Sequence, residues 1–133
     1  MPQPTPNPLP VTVTPSASLR ASGSQTEGML RQNALTNLTD SLCASRMIAS
    51  PHTASAIHHH GEQDTVVFAF SGHGTIVSEG GNKKQRLAPG DFALIPAFAE
   101  HQEVNEGEED VVWCIVRSGR EPAVVNLEGW GSS

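Results

Sequence analysis

Residues 90–105 read GDFALIPAFAEHQEVN, and this stretch is the most informative part of the chain about its fold. A Gly-Asp turn leads into a short apolar run over residues 92–95, which ends at Pro96 and is typical of a β-strand between two turns. Five residues after the proline, His101 begins a second segment of strand length, residues 101–105. The stretch therefore predicts two short strands, with a histidine at the start of the second.

A run of three histidines, His58, His59 and His60, ends another segment of strand length, residues 54–60. Residues two apart on a strand point to the same face, so His58 and His60 project together and His59 projects the other way. Neutral imidazole is a good ligand for Zn, Fe, Cu or Ni. Pairing of this segment with the one that begins at His101 would bring three imidazoles together, which predicts a metal site.

Segments of strand length occupy most of the chain after Pro51. They are rich in Val, Ile and Phe, are bounded by Gly, Pro, Asn or Asp, and comprise residues 54–60, 65–71, 74–78, 92–96, 101–105, 111–117 and 123–126. Short strands at near-regular spacing predict an all-β sandwich or barrel. Before Pro51, residues 45–50 resemble a strand, residues 29–35 fit a strand or a helical turn, and residues 38–43 fit a turn. The intervening EGGNKK, residues 79–84, is interpreted as a turn.

The stretch quoted first resembles the second motif of the cupin superfamily, G(X)5PXG(X)2H(X)3N. Gly90, Pro96, His101 and Asn105 fall at the spacing of that motif, and Phe98 stands where the family has glycine. This resemblance is the main reason to expect a single-domain, double-stranded β-helix, which is a jelly-roll barrel.

The histidine run resembles the first cupin motif, G(X)5HXH(X)3,4E(X)6G. His58, His60 and Gly72 fit that motif, whereas His52 stands at its leading glycine. The resemblance covers roughly residues 45–118. It implies that His58, His60 and His101 bind one divalent metal ion per chain inside the barrel, with Fe, Mn, Ni or Zn as the candidates.

The family's glutamate ligand has no unambiguous counterpart in this sequence. One spacing puts Thr65 at its position, the shorter spacer puts Asp64 there, and Glu62 lies closer to His60. A hydroxyl is a poor metal ligand, so Asp64 is preferred, Glu62 is the alternative, and a site of three histidines and water is the third possibility. The acidic residues among positions 100–110 are interpreted as a solvated strand and turn.

Four further residues are predicted to bind the substrate. Phe70, Phe92 and Trp113 belong to apolar strands and are expected to line a mostly apolar cavity, with core packing as the alternative. Arg31, in the N-terminal segment, is a candidate anchor. These residues predict an apolar, aromatic or enol-type ligand with an oxygen directed at the metal.

Composition excludes several classes of protein. The chain has 133 residues, about one domain, and a net charge of −6 from 8 basic and 14 acidic residues. That balance argues against nucleic acid or an anionic membrane as a partner, and no apolar run approaches the ~20 residues of a spanning helix. With two cysteines and no secretory signal, a reducing, cytoplasmic setting is expected.

The chain divides into four predicted regions. Residues 1–10, MPQPTPNPLP, are expected to form a disordered, proline-rich arm. Residues 11–50 form an N-terminal extension with strands that pack on the barrel or on a partner in a homodimer, residues 51–127 form the barrel, and residues 128–133 form a tail. An open sheet edge also favours the homodimer.

The resemblance implies a metal-dependent enzyme that acts on an oxygenated aromatic or enol-type small molecule. Dioxygenase, isomerase or cyclase, and lyase or dehydratase chemistry all fit the fold, and secondary metabolism is a candidate context. No catalytic residue is assigned beyond the metal ligands. The alternative is a non-catalytic cupin that binds a metal or a ligand.

Overall fold

The computed structural model describes residues 6–21 and 27–131, and its regular structure is almost entirely β-strand. Two short 3-10 helices, Ser16–Ser18 and Glu79–Gly81, interrupt the strands. The strands are β1 (Arg20–Ala21), β2 (Met29–Leu35), β3 (Leu42–Ala49), β4 (Thr53–Ala54), β5 (His58–His59), β6 (Thr65–Ser71), β7 (Gly74–Ser78), β8 (Lys83–Leu87), β9 (Phe92–Ile95), β10 (His101–Asn105), β11 (Val111–Ser118) and β12 (Val125–Asn126).

The strands form two antiparallel sheets, which confirms the predicted all-β class. The first sheet has the order β1-β2-β3-β11-β6-β9, and the second has the order β12-β5-β10-β7-β8, with β4 paired to β10. From β3 onward, neighbours in the first sheet are far apart in sequence, as in the pairing of β3 with β11, so the chain crosses between the two sheets repeatedly. This is the connectivity expected of a jelly roll.

The core lies between the two sheets. On β11, buried and less buried residues alternate, so that Val111, Trp113 and Ile115 point inward. Strands β7 and β8 contribute Ile76 and Leu87 from the opposite sheet. The sandwich therefore has one apolar core, and polar groups that point inward need partners there.

Two segments differ from the sequence-based expectation. Residues 83–87 form β8, an edge strand paired with β7, although part of this segment was predicted to be a turn. Its first four side chains are exposed, so it has no apolar alternation to identify it. Residues 54–60 form no continuous strand, because β4 and β5 pair with β10 separately and residues 55–57 lie between them.

The N-terminal extension forms part of the first sheet. Residues 29–35, which fitted a strand or a turn, are β2, and β3 begins at Leu42, within the segment expected to be a turn. The predicted arm lies partly outside the described residues, which begin at position 6, and the predicted tail lies partly beyond position 131. The boundaries of the four regions stay a prediction. No helix within residues 6–21 and 27–131 has the length and apolarity to cross a membrane.

Gly74 provides a test of the core packing. A Cβ at this position would overlap Cζ2 and Cε2 of the Trp113 indole, which is 1% exposed and enclosed by the core. We expect Gly74→Ala to lower the free energy of unfolding by roughly 1–3 kcal/mol, measured by urea titration. Gly129→Ala is the control, because its Cβ would meet nothing within 4 Å. Equal losses in the two variants would contradict the packing.

Candidate metal centre

Four buried side chains converge on the core-facing side of the second sheet: His58, His60, His101 and Glu103. Their potential ligand atoms all lie within 4.8 Å of one another. His58 on β5 is the pairing partner of His101 on β10, which aligns their imidazoles across the two strands. Glu103 lies two residues after His101 and so points to the same face. The structure thus brings together the three histidines identified from the sequence.

Backbone carbonyl groups orient two of the imidazoles. Nδ1 of His58 lies 2.7 Å from the Ala56 carbonyl oxygen, and Nδ1 of His101 lies 2.9 Å from that of Ala99. A carbonyl oxygen only accepts, so each Nδ1 carries a hydrogen, and Nε2 is the nitrogen that presents a lone pair when the ring is neutral. Such a second contact is typical of metal-binding histidines, because it fixes the tautomer and the ring orientation.

The third imidazole is oriented by a side chain. Nδ1 of His60 lies 2.7 Å from Oγ1 of Thr65, and both residues are almost completely buried. Nε2 of His60 and Nε2 of His101 are buried and have no hydrogen-bond partner among the described residues. Buried polar atoms of this kind are rare unless an ion or water satisfies them. These residues therefore fit a divalent metal ion.

Glu103 supplies the carboxylate of the cluster. Its Oε2 lies 3.3 Å from Nε2 of His58, and its Oε1 lies 3.3 Å from Nε2 of His101. The Ser55 hydroxyl is 3.0 Å from Oε2 and is placed to donate to it. Burial opposes ionisation of Glu103, but attraction to His58 and the contacts with His101 and His58 hold its pKa well below the usual range.

The protonation states suit a metal ligand set. Burial, followed by repulsion from Arg117 and His101, lowers the pKa of His60 to about 2, so this imidazole is neutral at pH 7. Burial also lowers the pKa of His58, but attraction to Glu103 outweighs it and the net shift is upward. A metal ion would displace a proton from His58 and bind neutral imidazoles beside an ionised carboxylate.

The structure corrects the predicted carboxylate ligand. Asp64 is exposed, and its Oδ1 accepts a hydrogen bond from the backbone N–H of Ala97 at 2.9 Å. Glu62 is exposed as well, and neither carboxylate belongs to the cluster. Thr65 contacts Nδ1 of His60, and Glu103 is the residue that offers an oxygen ligand in the cluster. The acidic composition of residues 100–110 predicts a solvated Glu103, although its spacing from His101 repeats that of His58 and His60, and this spacing could have identified it.

The predicted substrate-binding residues fall into three environments. Phe70 and Phe92 are 63% and 71% exposed on the outer surface of β6 and β9, so the prediction that they line the cavity is corrected. Both follow the alternation of strands whose other face is buried. Trp113 lies in the apolar core, which is the alternative considered for it. Arg31 lines a cavity that also contains His58 and Glu103.

Two positions where the family pattern has glycine carry other residues in a glycine-like conformation. Phe98 has a φ of 62° and His52 a φ of 58°, both in the left-handed region. A side chain there costs of order 1–3 kcal/mol. The ring of Phe98 lies 5.7 Å from that of His59, so His59 contacts the turn of the second motif while its neighbours face the cluster.

Two cavities adjoin the cluster from different sides. The cavity that touches His58 and Glu103, here called the inner cavity, has a volume of about 150 Å³ and is lined by residues of β2, β3, β5, β10, β11 and β12. A larger groove of about 630 Å³ runs between β8 and β9 and touches His101 alone among the four residues. The inner cavity has the closer relation to the cluster, because two of the four potential ligands line it.

Thr65 gives a direct test of how His60 is held. Replacement by valine keeps the shape and removes the hydroxyl, so we expect Thr65→Val to weaken metal affinity by roughly 10- to 100-fold, as is typical for the partner of a ligating histidine. Competition with a chromophoric chelator measures the change. Thr75→Val on β7 is the control, because Thr75 lines a surface groove with His73 and Glu106. Unchanged affinity in Thr65→Val would contradict this role.

Comparison with known proteins identifies relatives. The sequence profile of the Cupin domain matches residues 45–117. A curated relative, gentisate 1,2-dioxygenase 1 of Aquipseudomonas alcaligenes, is 29% identical over 79 residues, which cover 59% of this chain. The match covers 22% of the dioxygenase, so this chain corresponds to a small part of that protein.

Solved structures share the architecture. KdgF from Halomonas sp. superimposes with a TM-score of 0.72 at 21% identity, covering 84% of this chain and 96% of that one. The polyketide cyclase RemF from Streptomyces resistomycificus superimposes with a TM-score of 0.75 at 15% identity, covering 92% and 89%. At these identities the similarity shows the fold, and it confirms the predicted double-stranded β-helix.

Proposed function

The chain belongs to the cupin family, and from that premise we propose that it is a metal-dependent enzyme in which His58, His60, His101 and Glu103 hold one divalent ion. The observation that carries the proposal is the convergence of four buried ligand atoms within 4.8 Å. Three nitrogens and one carboxylate suit Fe, Mn, Ni or Zn. Such an ion would act as a Lewis acid on a substrate oxygen.

The residues around the cluster keep the ligands in place. The carbonyl groups of Ala56 and Ala99 hold His58 and His101, Thr65 holds His60, and Ser55 holds Glu103. With these contacts made, the four side chains need little rearrangement to bind an ion. Because the cluster is buried, bulk water is largely excluded, and electrostatic interactions with a bound substrate are stronger than in solution.

We propose an oxygenated small molecule of aromatic or enol type as the substrate. The inner cavity of about 150 Å³ is below the ~300 Å³ of sites for drug-sized ligands, which favours a small compound. A dioxygenase and a cyclase among the similar proteins support dioxygenation, isomerisation or cyclisation, while lyase or dehydratase chemistry is the further candidate.

Metal dependence of turnover tests the proposed function. The protein is analysed for metal as isolated, treated with a chelator, and reloaded separately with Fe(II), Mn(II), Ni(II) or Zn(II). Each form is then incubated with a panel of phenolic and β-dicarbonyl compounds, with and without oxygen. We expect turnover with at least one metal and none in the chelated form. Metal or ligand binding without turnover would instead favour the non-catalytic alternative, and failure to bind any metal would overturn the metal-dependent enzyme.

We propose in addition that a second copy of the chain covers the outer face of the first sheet. Large apolar side chains are exposed there on neighbouring strands: Leu30, Val66, Phe70, Phe92, Leu94 and Val116. At the described outward positions of the longer strands in this sheet, the one charged side chain is that of Arg46. It donates hydrogen bonds to Gln32 and Ser16. Because the chain has a net charge of −6, an apolar face is where two copies meet with least repulsion.

Light scattering after gel filtration tests this homodimer. We expect a mass of about twice the 14.1 kDa of the chain at micromolar concentration. The double substitution Phe70→Glu with Leu94→Glu places buried charges in the interface and is expected to yield the single-chain mass. Gln85→Glu, on the exposed strand β8, is the control for an added charge. A single-chain mass for the unmodified protein would refute the dimer.

We also propose a cytoplasmic location. Cys43 and Cys114 are free thiols in the structure, which fits a reducing compartment. Fractionation of the producing cells tests this proposal, and recovery in a secreted or oxidising compartment would contradict it.

A further inference from the structure

A buried arginine lies beside the cluster, and no acidic side chain among the described residues lies within salt-bridge distance of it. Arg117, on β11, is 5% exposed, and its Nη1 donates to the carbonyl oxygen of Ala123 at 3.2 Å. Its Nε is buried without a hydrogen-bond partner among the described residues. None of the salt bridges formed within residues 6–21 and 27–131 includes Arg117. A buried cation of this kind is costly unless a ligand pairs with it.

The charge of Arg117 persists at neutral pH. Burial lowers the pKa of Arg117 to about 10, attraction to Glu103 raises it, and repulsion from Arg31 lowers it further. The guanidinium group is therefore protonated at pH 7, and Arg31 is near enough to repel it. A bound anion would offset both the free-energy cost of burying the charge of Arg117 and its repulsion by Arg31.

Both arginines line the inner cavity. The cavity has a volume of about 150 Å³. Its wall contains Arg31 and Arg117 together with His58 and Glu103, and it also includes the apolar side chains of Met47 and Ile115. Two cationic side chains and half of the potential metal ligands thus face one small space. Among the lining side chains, two guanidinium groups accompany the single carboxylate of Glu103, and a divalent ion would add further positive charge. The cavity therefore favours an anion.

We propose that Arg117, together with Arg31, binds a carboxylate group of the substrate, so that the substrate is a small carboxylic acid with a second oxygen group facing His58 and Glu103. This inference rests on the proposed metal-dependent function and narrows its substrate class. The planar guanidinium matches a carboxylate or a phosphate in a two-point contact. The small volume favours a carboxylate over a phosphate. The sequence predicts a mostly apolar cavity, whereas the cavity in the structure is lined by two cationic side chains.

Isothermal titration calorimetry with pyruvate and hydroxyacetone tests the assignment, since these ketones are similar in size and only pyruvate carries a carboxylate. Inorganic phosphate is the third probe. Each is titrated into zinc-loaded and metal-free protein, and zinc content is measured separately. We expect pyruvate to bind at least tenfold more tightly than hydroxyacetone in the zinc-loaded form, with the preference retained without zinc. Phosphate is expected to bind more weakly than pyruvate.

Variants assign the effect to Arg117. We expect Arg117→Gln to weaken pyruvate binding by roughly 10- to 100-fold and to leave hydroxyacetone binding unchanged. Arg117→Lys should restore part of the affinity, because it keeps the charge without the planar fork. Arg86→Gln, on exposed β8, is the matched control. If Arg117→Gln fails to fold, Arg31→Gln replaces it, and the same selective loss is expected.

Several results would overturn the inference. Equal affinity for pyruvate and hydroxyacetone, unchanged pyruvate affinity in the folded arginine variants, or absence of pyruvate binding to both forms would each do so. Tighter binding of phosphate than of pyruvate would overturn the carboxylate assignment. Because anion binding is measured with and without zinc, failure of the metal site is distinguished from failure of the arginine pair.

Discussion

Replacing His101 by alanine is expected to reduce the bound metal from about one ion per chain to nearly none. His101 pairs with His58 across β10 and β5, and its Nε2 is one of the buried atoms without a hydrogen-bond partner among the described residues. Its loss leaves two imidazoles and one carboxylate, and it removes the residue that lies closest to both other rings, with centroid distances of 4.3 Å and 4.8 Å.

Elemental analysis and thermal unfolding measure this effect together. A ligand present at 1,000 times its dissociation constant stabilises the folded state by about 4 kcal/mol, so zinc should raise the melting temperature of the unmodified protein and leave that of His101→Ala unchanged. His73→Ala is the matched control, because His73 is exposed and outside the cluster. Equal metal content in His101→Ala and the unmodified protein would remove the basis of the metal centre.

The second large effect is expected for Glu103→Gln. This substitution tests whether the carboxylate ligand is Glu103, as the structure indicates, or Asp64, as predicted from the sequence. Glutamine keeps the size of the side chain and removes the charge that lies 3.3 Å from both His58 and His101. We expect the metal affinity to fall by more than the roughly 10- to 100-fold typical of residues that only orient a ligand. Competition with a chromophoric chelator measures the loss.

Asp64→Asn is the matched control for this experiment. Asn at position 64 can still accept the hydrogen bond from the N–H of Ala97 through its Oδ1, so neither the turn nor the metal affinity should change. Loss of metal in Asp64→Asn with retention in Glu103→Gln would show that the ligand predicted from the sequence is the right one. It would also require the loop at residues 61–64 to move when a metal binds.

Glu103→Gln is also expected to change the acid stability of the metal-free protein. The pKa of Glu103 is lower in the folded protein than its ordinary value of 4.5, so its ionisation stabilises the fold above that pH. This contribution is lost as the pH falls below about 4.5 toward the folded-state pKa. Urea titrations over this range should show a steeper loss of stability in the metal-free protein than in metal-free Glu103→Gln, and equal slopes would contradict the assignment.

The histidines of the cluster could be predicted from the sequence because their evidence is local. Spacing by two residues places His58 and His60 on one face of an extended segment, and the spacing from Gly90 through Pro96 to His101 matches a known motif. The same rule applies to His101 and Glu103, but acidic neighbours at positions 106–110 obscured it. A charged residue on a strand is usually solvated, and only its burial distinguishes a ligand from a surface carboxylate.

The all-β class, the barrel family and the pairs of residues that share a strand face can be predicted from local patterns in the sequence. The face that points inward cannot, because alternation is symmetric until sheet pairing and packing select a side. That selection places Phe70 and Phe92 outside while Thr65 and Glu103 are buried beside the imidazoles. It also brings Arg117 and Arg31, which are far apart in the chain, to one cavity. Their proximity depends on β2 and β11 both pairing with β3, a long-range contact that no local pattern encodes.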